Sequence, residues 1–301
     1  MEPVRHLEQL INAAKSKGKK KLAVAYGQDP HTIEAVGRAV KEGIVDAYLT
    51  GDKESIKKVA AEHNVDPSTL NIINVPDEKK AIAESVHMVR SGEADILMKG
   101  LCPSANYMRG ILNKEKGLLP PKEVLSHITV VEVPTYPKLL LLSDVAVIIK
   151  PTLEQKVKIV KYCIKVAHSL GIELPKIAML SAVEKVNPKM PSTLDCALIS
   201  KMNQRGQIKG AIIDGPLALD LAVSMESVSI KKVKSEVAGD ADALIFPCIE
   251  SANAVYKALV HLAKGRLAAV VTGATAPCVL TSRADTDESK FLSIALAALN
   301  A

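Results

Sequence analysis

Short apolar runs rich in β-branched residues alternate with longer amphipathic stretches along almost the whole chain, and this alternation restricts the fold more than any other sequence feature. The runs lie at 21–26, 45–49, 71–75, 95–98, 128–133, 145–149, 177–182, 210–213, 243–246 and 267–271. They are continuously apolar, so each needs cover on both faces, the condition of a mainly parallel sheet with helices on either side. Helical patterns at 31–42, 53–63, 78–91, 106–114, 153–169, 193–205, 252–263 and 288–299 complete a βαβα order.

Ten strands are many for one open sheet, and 301 residues suffice for two packed α/β domains. The expected crossover is 120–137, with prolines at 120, 121, 134 and 137. No long Gly/Ser linker appears, so the halves are expected to pack directly and leave a cleft. A composition of 48% hydrophobic and 24% charged residues excludes disordered and collagen-like classes.

The longest apolar stretch, 139–149, is broken by Ser143 and Asp144 and falls short of the roughly 20 residues that span a bilayer. The first residues mix charges and lack the apolar core of a secretory signal, so a cytoplasmic protein is expected. Five cysteines without a CxxC pair read as free thiols, and seven histidines without HxH or HExxH spacing give no metal site. Net charge is +6, but with no tryptophan and two phenylalanines few rings are present on which bases could stack. Small anions are the better partners. GxGxxG, GxxxxGK[ST] and GxSxG are all absent, which removes the usual marks of NAD use, ATP use and serine hydrolysis.

Four segments carry chemistry-bearing residues. In DILMKGLCPSANYMR a strand runs into Lys99 and Gly100, then a turn, then Ser104 opening a helix. Unpaired N–H groups at such a helix start bind anions; Ser104 can cap them, and Arg109, near the first turn, can add a bidentate fork. The plainer alternative is an ordinary Ser cap beside a solvated Arg. In APCVLTSRADTDE, Ser282, Arg283, Asp285, Asp287 and Glu288 gather ahead of the last helix. The acids suit a helix dipole, whereas Arg283 opposes it and needs a compensating partner. In GDADALIFPCIESAN, Asn253 lies at the ligand-facing end of a parallel strand, with Asp240 and Asp242 as turn residues. In GQIKGAIIDGPLALD a strand is expected to end at Asp214, Gly215 and Pro216, with Asp220 following on a helix.

The blocks KGLCPSANYMRGILNKEKG, VNPKMPSTLD, DGPLALD, GDADALIFPCIESANAVYKAL and TSRADTDESKFLSIALA resemble the phosphate acetyl/butyryltransferase family, and within it the butyryltransferase branch; the likeness covers about residues 95 to 301. The resemblance implies reversible transfer of an acyl group between CoA and inorganic phosphate by direct attack in a ternary complex. It implies two α/β domains with mainly parallel sheets, isocitrate/isopropylmalate dehydrogenase-like, with the active site in the interdomain cleft. The last helix would return to the first domain, making it discontinuous: 1–134 plus 282–301, against 135–281. A homodimer or larger homo-oligomer is expected, with no bound cofactor, no metal, and acyl-CoA and phosphate as the only partners.

By the same resemblance, the family's phosphate-binding Ser/Thr and Arg fall on Ser104 and Arg109, and its C-terminal Ser-Arg pair on Ser282 and Arg283. Lys99 and Asn253 join the first pair as substrate-binding candidates. The acetyl branch carries its base, an Asp, seven residues after that Ser; here the position is Ser289. Asp285 and Glu288 are the substitutes, Asp285 being favoured. A cysteine acyl-enzyme through Cys102 or Cys278 is a minor route. The competing readings are a phosphate acetyltransferase, a long-chain phosphate acyltransferase, a metal-dependent dehydrogenase of the same fold, and a silent acyl-CoA-binding subunit.

Overall fold

The computed structural model describes residues 2–281 and 285–301. The chain forms two compact units, one of Leu7–Leu125 with Ala268–Ala301, the other of Ser126–Leu267 with the residues through His6.

The first unit opens with α1 (Gln9–Ser16), then β1 (Lys20–Ala25), α2 (Pro30–Lys41), β2 (Val45–Gly51), α3 (Lys53–Glu62), β3 (Asn71–Asn74), α4 (Glu78–Arg90), β4 (Ile96–Lys99) and α5 (Ser104–Ile111). Three of its helices start alike, because an Asp follows each strand. The side chains of Asp29, Asp52 and Asp77 accept from the backbone N–H of Thr32, Ser55 and Lys80, caps worth about 1 kcal/mol each.

The second unit contains β5 (Ser126–Glu132), β6 (Leu140–Ser143), α6 (Leu153–Ser169), β7 (Lys176–Leu180), α7 (Pro191–Gln204), β8 (Ile212–Leu217), α8 (Leu219–Val223), α9 (Met225–Lys231), β9 (Ala243–Ile245) and α10 (Ile249–His261). The chain then returns through β10 (Arg266–Thr272), β11 (Cys278–Val279) and α11 (Asp287–Asn300).

In the first unit the strands run β3-β2-β1-β4-β11-β10, parallel except for the β10/β11 pair. In the second they run β5-β6-β9-β7-β8, parallel except for β5/β6. Both sets of strands are mainly parallel and carry helices, so each unit is α/β as expected. Residues 290–299 of α11 are all buried, and the helix packs on α1 and α2. Each fully buried Leu or Ile there contributes about 1.5–3 kcal/mol. That packing makes the first unit discontinuous. The contacts part the units at 125/126 and 267/268, ahead of the expected breaks, because β5 pairs with β6 and the prolines at 134 and 137 only turn the chain between those two strands.

Three local expectations need correction. Residues 145–149 form no strand: the carboxylate of Asp144 accepts from the N–H groups of Ala146, Val147 and Ile148, winding the chain into a turn, and the strand is the preceding β6. Asp214, Gly215 and Pro216 do not end their strand but lie inside β8, the outermost strand of its sheet, where a missing proline N–H costs no ladder bond. Helix α1, not anticipated, is short and is made stable by burying Leu10, Ala13 and Ala14 beside α11.

Candidate active site

The carboxyl ends of β1, β4 and β11 meet at one edge of the first unit's sheet, where parallel α/β sheets place ligands. At this edge Gly100 turns the chain out of β4. Its N–H donates to Ala25 O at 2.9 Å, and a Cβ there would lie 2.4 Å from Tyr26 O, so no other residue fits. Lys99 ends the strand with only 3% of its surface exposed, its ammonium donating to the carbonyls of Gly100 (3.0 Å) and Cys102 (3.3 Å).

Helix α5 follows. It is pinned by the fully buried Tyr107, whose hydroxyl lies 3.2 Å from both Leu97 O and Val279 O. Its N-cap is Pro103, with no side-chain hydrogen bond, so Ser104 is the first helical residue and not the cap, and it is exposed at the helix N-terminus. Arg109 lies in the last turn of this eight-residue helix, not near the first as expected. Its guanidinium donates to Asn106 Oδ1 at 3.0 Å, and Asn106 Nδ2 donates to Glu78 Oε1 at 2.7 Å.

The second contribution comes from β11 and the start of α11. Ser282 and Arg283 lie outside the described residues. Asp285 and Glu288 flank the N-cap, Thr286, and both are half-buried. Sequence reasoning missed Lys290, which is 4% exposed and whose Nζ donates to Thr281 Oγ1 at 3.2 Å. Burial pushes its amine below the ordinary lysine range; Asp29 and Asp285 attract the charge and Lys99 repels it. Asp29, also missed, caps α2 through one oxygen while Oδ2 is buried with no hydrogen-bond partner among the described residues. No sequence signal marks Lys290, which stands between the polar stretch DTDES and the apolar run FLSIALA.

Lys99, Ser104, Arg109, Asp285 and Glu288 therefore fall in one unit, at the end of β4, along α5, and on the approach to and first turn of α11. Asn253 belongs to the other unit, on α10, where its amide donates to Val145 O at 3.0 Å and secures the turn after Asp144. Asp240 and Asp242 are ion-paired with Lys138, at 2.9 and 2.7 Å, and Asp220 with Lys231 at 3.0 Å, so these three acids have structural partners. A cavity of about 460 Å³ in the second unit, lined among others by Arg5, Glu132 and Tyr136, contains none of the candidate residues. Burial pushes the thiols of Cys102 and Cys278 up to about 11 and about 12, which makes them poor nucleophiles. Among the described residues no group of three or more His, Cys, Asp or Glu is placed to hold a metal, and no helix is long and apolar enough to cross a membrane.

Residues 6–86 and 77–298 match the family model described as Phosphate acetyl/butaryl transferase. The chain is 48% identical over 296 residues to the phosphate butyryltransferase of Clostridium acetobutylicum, covering 98% of each. It is also 48% identical to the phosphate acetyltransferase of Thermotoga maritima, covering 97% of this chain and 99% of that one. A solved branched-chain phosphotransacylase from Enterococcus faecalis V583 superposes with a TM-score of 0.82 at 33% identity, over 93% of this chain and 98% of that one. A 4-hydroxythreonine-4-phosphate dehydrogenase from Klebsiella pneumoniae, at 11% identity and a TM-score of 0.54 over 92% of this chain and 98% of that one, shares the fold alone.

Proposed function

From the premise that the chain belongs to the phosphate acetyl/butyryltransferase family, and so is an acyltransferase, we propose that its reaction is butyryl-CoA plus phosphate to butyryl phosphate plus CoA, in both directions. The observation that carries this reading is end-to-end similarity to a phosphate butyryltransferase. An acetyl substrate is the second reading, favoured by equal identity to a phosphate acetyltransferase. One or two methylenes in an apolar pocket change selectivity by only about 1–3 kcal/mol each, too little to fix acyl length from overall similarity.

In this scheme phosphate and CoA, both anionic, are held by Arg109 and Arg283, with Ser104 and Lys99 on the phosphate and Asn253 as a further substrate-binding residue. A phosphate oxygen attacks the thioester carbon, Ser282 donates to the oxyanion, and the C–S bond breaks with its electron pair going to sulfur. In reverse, Asp285 takes the proton of the CoA thiol, the sulfur attacks the acyl-phosphate carbon, and the C–O bond to phosphate breaks. A positioned base of this kind contributes about 10²- to 10⁴-fold. Glu288, on the first turn of α11, is the alternative base. All of this uses the chain's own side chains, with no resident cofactor or metal.

We assign the protein to the cytoplasm, consistent with five free cysteines. A homodimer or larger assembly is supported by exposed Leu194 and Leu198, one turn apart on α7, and by exposed Leu219, Met225 and Ile230 on α8 and α9. The test of function is phosphate-dependent release of CoA thiol from acetyl-, butyryl- and octanoyl-CoA without added metal. Fastest release from butyryl-CoA, only with phosphate, is the expected result. Preference for acetyl-CoA moves the assignment to the acetyl branch, and no release from any of the three points to a silent acyl-CoA-binding subunit.

A further inference from the structure

The cavity of about 460 Å³ in the second unit lies at the sheet edge away from the carboxyl ends of its parallel strands. Strand β5 runs antiparallel to β6, so its end at Glu132 stands beside the start of β6, and β6 runs parallel to β9. The cavity is thus built at the amino ends of β6 and β9, whereas Asn253 and the turn after Asp144 lie at the carboxyl ends. None of its lining residues takes part in the acyl-transfer scheme.

Charge is unevenly divided there. Among the described residues that line it, four permanent cations, Arg5, Lys138, Lys264 and Arg266, stand against one carboxylate, Glu132. Lys138 is matched from outside the cavity by Asp240 and Asp242, at 2.9 and 2.7 Å. Glu132 is shared between Arg266, at 3.7 Å, and His6, at 2.7 Å. With Lys138 set aside, three cations face one carboxylate, an excess of two positive charges in a concave site whose low-dielectric walls concentrate the field.

The cations stand on fixed backbone. Buried Val4 donates its N–H to Leu170 O at 2.8 Å and anchors the segment that carries Arg5. Lys264 has φ +54° in the turn that closes α10 through a bond from Gly265 N–H to Leu259 O at 2.9 Å, a left-handed position where glycine is usual. The rest of the lining is largely apolar: Val133, Pro137 and the ring of Tyr136, whose hydroxyl donates to Ala241 O at 2.6 Å. The volume lies within the range of small-molecule pockets, about 300–1,000 Å³.

We propose that this cavity binds a small organic phosphomonoester, its phosphate held by Arg5, Lys264 and Arg266 and its organic body laid against Val133, Pro137 and Tyr136. A phosphomonoester carries about −1.5 to −2 charges near neutral pH, which matches the excess, and a guanidinium fork takes its oxygens two at a time. Inorganic phosphate has the charge but nothing to lay on the apolar wall.

The test is isothermal titration of phenyl phosphate, phenyl sulfate and inorganic phosphate into the full-length wild-type protein, Arg5→Gln, Lys264→Gly, Arg109→Ala and, as a control for general loss of charge, Lys58→Gln in the first unit. Wild type should bind phenyl phosphate more tightly than the singly charged phenyl sulfate or inorganic phosphate, with an affinity that falls as salt is added. Arg5→Gln and Lys264→Gly should each weaken phenyl phosphate about tenfold or more. Glycine accepts the left-handed backbone, so Lys264→Gly should melt no lower than wild type. Arg109→Ala and Lys58→Gln should keep this binding. Absence of binding to wild type, or an equal loss in Lys58→Gln, overturns the proposal. Loss in Arg109→Ala with none in Arg5→Gln and Lys264→Gly places the ligand at the candidate active site and also overturns it. Equal affinity for inorganic phosphate overturns the assignment to an organic ligand.

Discussion

Thr286 and Ser289 close the start of α11 onto each other: the N–H of Ser289 donates to Thr286 Oγ1 at 3.1 Å, and that hydroxyl donates to Ser289 Oγ at 3.1 Å. Ser289 stands where the acetyl branch, by resemblance, carries its basic Asp. Here its hydroxyl accepts from the capping Thr286, and the neighbouring carboxylates are Asp285 and Glu288. Ser289→Ala is expected to keep kcat within about twofold, whereas Thr286→Ala should cost about 1 kcal/mol of stability in thermal or urea unfolding. A Ser289→Ala enzyme with turnover reduced by orders of magnitude would return the proton-transfer role to this position.

Arg109→Ala and Arg283→Ala should each reduce kcat/KM by about 10²-fold or more, because both arginines are assigned to transition-state charge. Arg109 is exposed and, among the described residues, bonds to Asn106, so its removal should leave the melting temperature nearly unchanged. Steady-state kinetics beside differential scanning fluorimetry checks both; near-normal turnover in the two variants would remove this site assignment.

Direct transfer predicts no acyl-cysteine. The thiols of Cys102 and Cys278 are buried and pushed up to about 11 and about 12, so almost no thiolate forms at neutral pH. Cys102→Ala and Cys278→Ala should keep turnover, and intact-mass spectrometry after mixing with acyl-CoA should find no acylated chain.

Asp240 gives a pH test of the second unit. Burial pushes its carboxyl up, but the ammonium groups of Lys138 and Lys176 together outweigh that and hold it below the usual carboxylate range. A folded-state value below the unfolded one means stabilisation present above the unfolded pKa of about 3.9 and lost as pH falls through the folded one. Asp240→Asn should therefore melt earlier than wild type near pH 7, with the gap closing below about pH 4. An unchanged gap across that range would show that the ion pairs contribute nothing.

The α/β architecture was legible in the residues alone, because uninterrupted apolar runs can be buried only in sheets covered on both faces, and that pattern is local to each run. The junctions that carry the candidate residues were legible too, since strand, turn and helix start are short-range features: Lys99–Gly100–Ser104 and Asp285–Glu288 fall at such places. Tertiary structure decided what no spacing encodes. The pairing of β11 with β4 brings Val279 beside Met98, about 180 positions apart, and packing on α1 and α2 returns α11 to the first unit. It decided as well that residues 145–149 turn and that β8 runs through Pro216, because a carboxylate competing for backbone N–H groups and an edge position in a sheet become visible only once the chain has folded.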